Sequence, residues 1–234
     1  MFFHGCACFG DKSQVRRKGM NFKMNIEIIN LKKIFKENII FENVNMNIEK
    51  GKIYGLIGRN GSGKSVFLKT ICGFIVPDEG KVIVNSKNIF DNNSFLPEAR
   101  AMIEKPSFID DISGLENLKI LASIQNKINE EQILFWLKEV GLFEERNKKY
   151  SLYSLGMKQK LAIVQVLMEN PSIMILDEPF NGLDKESYNK MIEIFLHEKL
   201  KGKTIIIATH IENDIDKLCD HIYEIDGGKI NAIN

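Results

Sequence analysis

Eight residues, Gly58-Arg59-Asn60-Gly61-Ser62-Gly63-Lys64-Ser65, fit the spacing G-x-x-x-x-G-K-[ST], a loop whose backbone N–H groups cradle nucleotide phosphates. Gly58, Gly61 and Gly63 permit backbone conformations closed to residues with a Cβ and let the chain approach a phosphate closely. Asn60 and Ser62 lie inside the loop and are expected to face the nucleotide with it, whereas Arg59 reads as a solvated side chain. Lys64 supplies an ammonium for the β- and γ-phosphates, and Ser65 a hydroxyl for Mg²⁺. The pattern therefore predicts an ATP or GTP site. Ile53 to Ile57 reads as a buried strand and Ser65 to Cys72 as a helix, so the helix N-terminus and its unpaired N–H groups aim at the anion.

A phosphate loop does not separate a kinase, a GTPase and a transport motor; three downstream stretches do. Tyr153-Ser154-Leu155-Gly156-Met157 precedes a helical run, Ile173 to Leu176 is an apolar strand ending in Asp177-Glu178, and Ala208-Thr209-His210 ends another apolar strand. Asn181-Gly182-Leu183-Asp184 follows the carboxylates. In this order, from about Ile26 to the C-terminus, the motifs resemble the ATP-binding subunit of an ABC (ATP-binding cassette) transporter.

The resemblance implies roles residue by residue. Asp177 is expected to hold Mg²⁺, Glu178 to act as the general base that orients water, and His210 to contact the γ-phosphate, which is the positioning and charge neutralisation that phosphoryl transfer needs. Ser154 reads as an N-cap for a helix from Leu155 to about Glu169. Ser154 and Gly156 would face an ATP held by a second cassette, so hydrolysis implies a homodimer or heterodimer of ATPase subunits. Asp184 is placed with the nucleotide-binding residues, as is Phe35, whose ring would stack on adenine. As a Phe it fits strand core equally well.

Two departures from the family pattern stand out. Leu155 and Met157 occupy positions where the family usually has Gly and Gln. Where it normally carries a Gln about forty residues after the phosphate loop, this chain has Ala101-Met102-Ile103-Glu104, followed by Pro106-Ser107-Phe108. A Glu there resembles the subgroup serving bacitracin and lantibiotic export or self-immunity. Its added negative charge is expected to lie at Mg²⁺.

The elements needed to position these residues are legible around them. The expected fold is α/β: a phosphate-loop core of mostly parallel sheet flanked by helices, with an antiparallel β portion and an inserted helical subdomain at about 112–170. Strands are expected from Ile26 to Val44, Lys52 to Ile57, Gly80 to Asn85, Ile173 to Leu176, Thr204 to Ala208 and His221 to Ile225. Pro77-Asp78-Glu79-Gly80 reads as a turn and Asp226-Gly227-Gly228-Lys229 as a hairpin. Asn129 is expected to cap a helix whose Ile133, Leu137 and Val140 share one face, stopped by Gly141. Further helices are expected after Lys185 and Glu212.

Length and charge set the outer bounds. The 234 residues carry a net charge of +1 with both signs interspersed, which favours no nucleic acid. No apolar run approaches the roughly twenty residues needed to span a bilayer, so any transport path is expected in a separate permease, with this chain cytoplasmic on the inner face of the membrane. The resemblance implies that the permease docks on the surface around Glu104 to Leu118, with Phe108, Ile109 and Ile112 expected to be exposed among acidic residues. The four cysteines show no disulfide framework. His4, Cys6 and Cys8 fall short of a structural zinc site. Residues 1–24 read as a tail outside the ATPase domain of 25–234. Arg16-Arg17-Lys18-Gly19 is what a mistranslated ribosome-binding site would spell, which points to a start at Met20 or Met24. A soluble ABC ATPase of repair, assembly or translation type is the alternative to a transport motor, although such proteins usually carry added domains.

Overall fold

Two sheets share the chain, and the alternation of side chains along the central strands explains how. The computed structural model describes residues 25–104, 107–211, 215 and 217–233. The N-terminal tail with His4, Cys6, Cys8 and both candidate start methionines lies outside them, as do Pro106 and most of the stretch expected to be helical after Glu212.

A four-stranded antiparallel sheet, in the order β2-β1-β4-β5, is built from β1 (Ile26–Phe35), β2 (Asn38–Ile48), β4 (Glu79–Val84) and β5 (Lys87–Asn88). A six-stranded sheet follows the order β10-β9-β3-β8-β7-β6. It comprises β3 (Ile53–Ile57), β6 (Ala99–Met102), β7 (Ile173–Asp177), β8 (Thr204–Thr209), β9 (His221–Asp226) and β10 (Lys229–Ala232). All its pairings are parallel except that of β10, which the Asp226–Lys229 hairpin turns back along β9.

Strands β3, β7 and β8 are buried along their whole length, as expected of a parallel sheet covered on both faces. Period-two alternation divides their side chains between two cores. Met174, Leu176, Ile205 and Ile207 pack with residues of the later helices such as Leu161, Val164 and Phe195, whereas Ile173, Ile175, Ile206 and Ala208 pack with Phe41 of the antiparallel sheet and with Phe67 and Leu68 of the helix that follows the phosphate loop. Each fully buried residue of this size contributes roughly 1.5–3 kcal/mol of transfer free energy.

Among the described residues five α-helices cover the sheet: α1 (Lys64–Ile71), α2 (Gly114–Gln125), α3 (Glu130–Glu139), α4 (Leu155–Leu167) and α5 (Lys185–Leu200). Asn129 caps α3 by accepting from Gln132 N, and the buried Ile133, Leu137 and Val140 point into the core. Ser154 Oγ accepts from Met157 N at the start of α4, which ends at Leu167, two residues short of the expected boundary. Helix α2 starts in a capping box in which Ser113 and Glu116 satisfy each other's backbone N–H.

Three local expectations need correction. Strand β4 begins at Glu79, inside the expected turn, because Asp78 N donates to Lys32 O and ties that residue to β1. Strand β6 was not expected. Of Phe108, Ile109 and Ile112, anticipated as an exposed apolar group, only Ile109 is exposed, at 53%. Phe108 packs its ring 5.1 Å from that of Tyr150 and is half-buried, as is Ile112.

Candidate active site

Strand register brings the chemistry to one edge. Ile57 lies beside Thr209, Asp177 beside Ala208, and Met102 beside Leu176, so β3, β8, β7 and β6 all end on the same side of the sheet. The phosphate loop follows β3, Glu178 follows β7, His210 follows β8 and Glu104 follows β6. This carboxyl edge is where open parallel sheets bind ligands. A cavity of about 320 Å³ opens there, lined by Asn60, Gly61, Gly63, Lys64, Ser65, Glu104, Asp177 and Glu178 together with Ile40 and Val66.

The loop is shaped for an anion. Gly63 has φ +104° and caps α1, and a Cβ on Gly58 would meet the Ile225 carbonyl oxygen at 2.6 Å. Lys64 is only 6% exposed. Its Nζ donates to the carbonyls of Gly58 at 2.6 Å and Arg59 at 3.2 Å, and lies 3.9 Å from Glu178 Oε1. Ser62 Oγ is buried without a hydrogen-bond partner, a position that a phosphate oxygen would satisfy.

Two oxygens suit a hard cation. Ser65 Oγ donates to Asp177 Oδ2 at 2.6 Å, and both residues line the cavity. Mg²⁺ takes one or two such protein ligands and completes its octahedron with phosphates and water. No group of three or more His, Cys, Asp or Glu among the described residues could hold a metal ion by itself. Burial raises the Asp177 pKa above the usual carboxylate value. The Ser65 hydroxyl and the Glu104 backbone N–H oppose that effect, the Glu178 charge adds to it, and Lys64 offsets part of it.

Glu178 is fixed from several sides. Its backbone adopts a left-handed φ of +51°, its N–H donates to Ala208 O at 2.8 Å, and its carbonyl accepts from Gln159 Nε2 at 2.9 Å. Oε2 accepts from Thr209 Oγ1 at 3.1 Å and Oε1 lies 2.8 Å from His210 Nδ1. With the carboxylate ionised, the imidazole places its proton on Nδ1 and leaves Nε2 for a ligand. Such a carboxylate can accept a proton from water, and a pinned backbone holds it in register with the lysine.

The remaining expected residues lie elsewhere. Phe35 ends β1 and is 43% exposed, with Lys33 Nζ 5.1 Å from its ring centroid, so it is not strand core. Asp184 is not brought to the phosphate cavity: its carboxylate is used as the N-cap of α5, accepting from Ser187 N at 2.8 Å. Ser154 and Gly156 start α4 on a second face. There Leu155, Gln159, Tyr150, Lys158, Asn181 and Gly182, with Glu104, Asp177 and Glu178, wall a neighbouring cleft of about 470 Å³.

A family model described as ABC transporter matches residues 41–181. The chain belongs to the ABC transporter family. It is 38% identical over 207 residues to an uncharacterized ABC transporter ATP-binding protein of Bacillus subtilis (strain 168), covering 88% of this chain and 95% of that protein. A lantibiotic transport ATP-binding protein of Streptococcus pyogenes is 38% identical over 205 residues, 88% of each chain. A bacitracin transport ATP-binding protein of Enterococcus faecalis is also 38% identical, over 84% of this chain; the match spans 65% of that protein, just under two thirds. A solved ATP binding subunit of an ABC transporter superposes with a TM-score of 0.77 at 27% identity, covering 89% of this chain and 90% of the other. The chain is thus an ABC ATPase subunit with bacitracin- and lantibiotic-type relatives. No helix among the described residues is long and apolar enough to cross a membrane.

Three contributors to the site escaped the sequence reading. Thr209 and Gln159 both hold Glu178, and Lys69 pairs with Glu104 at 2.5 Å. The first two sit inside motifs already recognised, Ala208-Thr209-His210 and the stretch after Ser154; Lys69 carries no such signal.

Proposed function

We propose that this ATPase, with Mg²⁺ held by Ser65 and Asp177, drives a separate membrane permease that exports an antimicrobial peptide of bacitracin or lantibiotic type, or a similar amphipathic compound. The observation that carries this reading is Glu104 at the carboxyl edge of β6 in a chain 38% identical to both a bacitracin and a lantibiotic transport ATP-binding protein. Mg²⁺ supplies charge neutralisation for the transferred phosphoryl group. Lys64 and the loop amides bind and orient the triphosphate, Glu178 takes up the proton of the attacking water, and His210 bridges that carboxylate to the γ-phosphate.

Two copies, or this chain and a second cassette, stack so that Ser154 and Gly156 of one face the nucleotide of the other. The dimer works in the cytoplasm, peripheral on the inner face of the membrane. The permease meets it on the surface around Glu104 to Leu118, where Ile109 is exposed.

Co-expression with a membrane permease from an adjacent reading frame, where one encodes about six transmembrane helices, tests this. Membranes should retain the chain, and cells should tolerate a bacitracin-like or lantibiotic peptide better. Lys64→Ala should abolish protection while leaving the chain membrane-bound. Full protection by that variant, or a chain that stays soluble beside its permease, would refute ATP-driven export.

A further inference from the structure

Glu104 favours the ionised form of the Asp177 carboxylate through its backbone N–H and is tied to the phosphate-loop helix, its side-chain Oε1 lying 2.5 Å from Lys69 Nζ. The residue adopts a left-handed φ of +62°, a conformation that costs a non-glycine residue free energy and persists when its surroundings fix it. Together with Asp177 and Glu178 it lines both the phosphate cavity and the neighbouring cleft.

Lys69 lies four residues after Ser65 on α1, and residues at that spacing share a helix face. The face that bears the metal-binding hydroxyl therefore also bears this ammonium, one turn further on. A lysine in the last turn of a helix is commonly explained by the helix dipole. Here, however, the carbonyls of Leu68, Lys69 and Thr70 already accept from the backbone N–H groups of Cys72, Phe74 and Gly73, and the ammonium turns to Glu104 instead.

We propose that Lys69 is a positioning residue: its ammonium holds the Glu104 carboxylate aside from the Mg²⁺ position at Ser65 and Asp177, tying the phosphate-loop helix to the end of β6. The proposal rests on that Mg²⁺ position. Without Lys69, the carboxylates of Glu104, Asp177 and Glu178 that line the phosphate cavity face the ammonium of Lys64 among the described residues lining it. Such a cluster repels a bare triphosphate and draws a divalent cation more strongly. With Lys69 in place, a movement of Glu104 toward the metal has to break the ion pair with α1, so nucleotide occupancy and the position of Glu104 become linked.

Binding of a fluorescent ATP analogue, measured in EDTA and then across a Mg²⁺ titration, reads this without turnover. Lys69→Met should weaken metal-free binding about two- to fivefold, the range expected of a partly exposed pair, and should enlarge the gain that Mg²⁺ brings. Lys69→Arg should behave as wild type. The double variant Lys69→Met/Glu104→Gln should return both quantities to the wild-type values, because the unpaired carboxylate is gone. Unchanged metal-free binding in Lys69→Met overturns the proposal. So does equal weakening in the double variant, which would mean that Lys69 acts on the phosphates directly. Failure of the underlying metal position looks different: Mg²⁺ would leave wild-type binding unchanged.

Discussion

His210 Nδ1 lies 2.8 Å from Glu178 Oε1 although 32 residues separate them. The contact exists because β7 and β8 are adjacent and parallel, with Asp177 beside Ala208, so the residues that follow each strand meet at one edge. Thr209 holds the other carboxylate oxygen. The carboxylate is therefore oriented before any ligand arrives, and the imidazole proton is drawn to the nitrogen facing Glu178.

Glu178→Gln keeps the volume and the hydrogen bonds to Thr209 while removing the negative charge. ATP should still bind, hydrolysis should fall about 100- to 10,000-fold, and an ATP-bound dimer should accumulate. Phosphate release and size-exclusion chromatography check this together; near-normal turnover would take Glu178 out of the base role.

Asp177 has a pKa raised from 3.8, mainly by burial, and this sets a sign for stability. The protonated form is favoured in the folded chain relative to the unfolded one. Its contribution is therefore fully present below the ordinary carboxylate value and is lost as pH rises through the raised one. At neutral pH the ionised carboxylate destabilises the metal-free protein. Asp177→Asn should thus raise the melting temperature at pH 7.5 in EDTA, with the gap to wild type narrowing as pH falls, and should abolish the Mg²⁺-dependent gain in ATP affinity. A lower melting temperature for Asp177→Asn at pH 7.5 would contradict the argument.

Gly182 carries the consequence of the unusual Leu155. Its φ is +76°, and a Cβ there would come within 2.7 Å of Leu155 Cδ2 and Cγ. Gly182→Ala should cost about 1–3 kcal/mol from left-handed strain and crowding. In a Leu155→Ala background the crowding disappears and only the strain remains, so urea denaturation of the four variants should show a coupling of at least about 0.5 kcal/mol. Strict additivity would mean that the two residues do not press on each other.

What was legible in the sequence was what short spacing dictates. The phosphate loop, the Asp177-Glu178 strand end, the caps at Asn129 and Ser154 and the Asp226 turn each depend on residues within one element and its flanks. Strand β6 was not legible, because Ala99-Arg100-Ala101-Met102 has no apolar alternation and forms by pairing with β7. Nor were the partners of Glu104 and Glu178, since Lys69 is 35 residues from the first, and Gln159 and Thr209 are 19 and 31 from the second. The capping box of Ser113 and Glu116 is legible in the S-x-x-E spacing. Beside them the buried Asn117 bonds both the N–H and the carbonyl of Ile109, fixing the segment whose exposure the sequence reading overstated.

Phe35 supplies the last test, because its exposure separates stability from binding. It pairs with Asn38 at the tip of the β1–β2 hairpin, two residues before Ile40, which lines the phosphate cavity. An exposed ring there contributes little to the core, and a base stacked on it gains aromatic contact of about 0.5–1.5 kcal/mol. Phe35→Ala should therefore weaken ATP binding about two- to tenfold and leave the urea midpoint unchanged, while Phe35→Tyr should bind as wild type. Because stacking reads the π-face and not the base edges, GTP affinity should fall by the same factor. A Phe35→Ala variant that unfolds earlier but binds ATP normally would return the ring to a structural role.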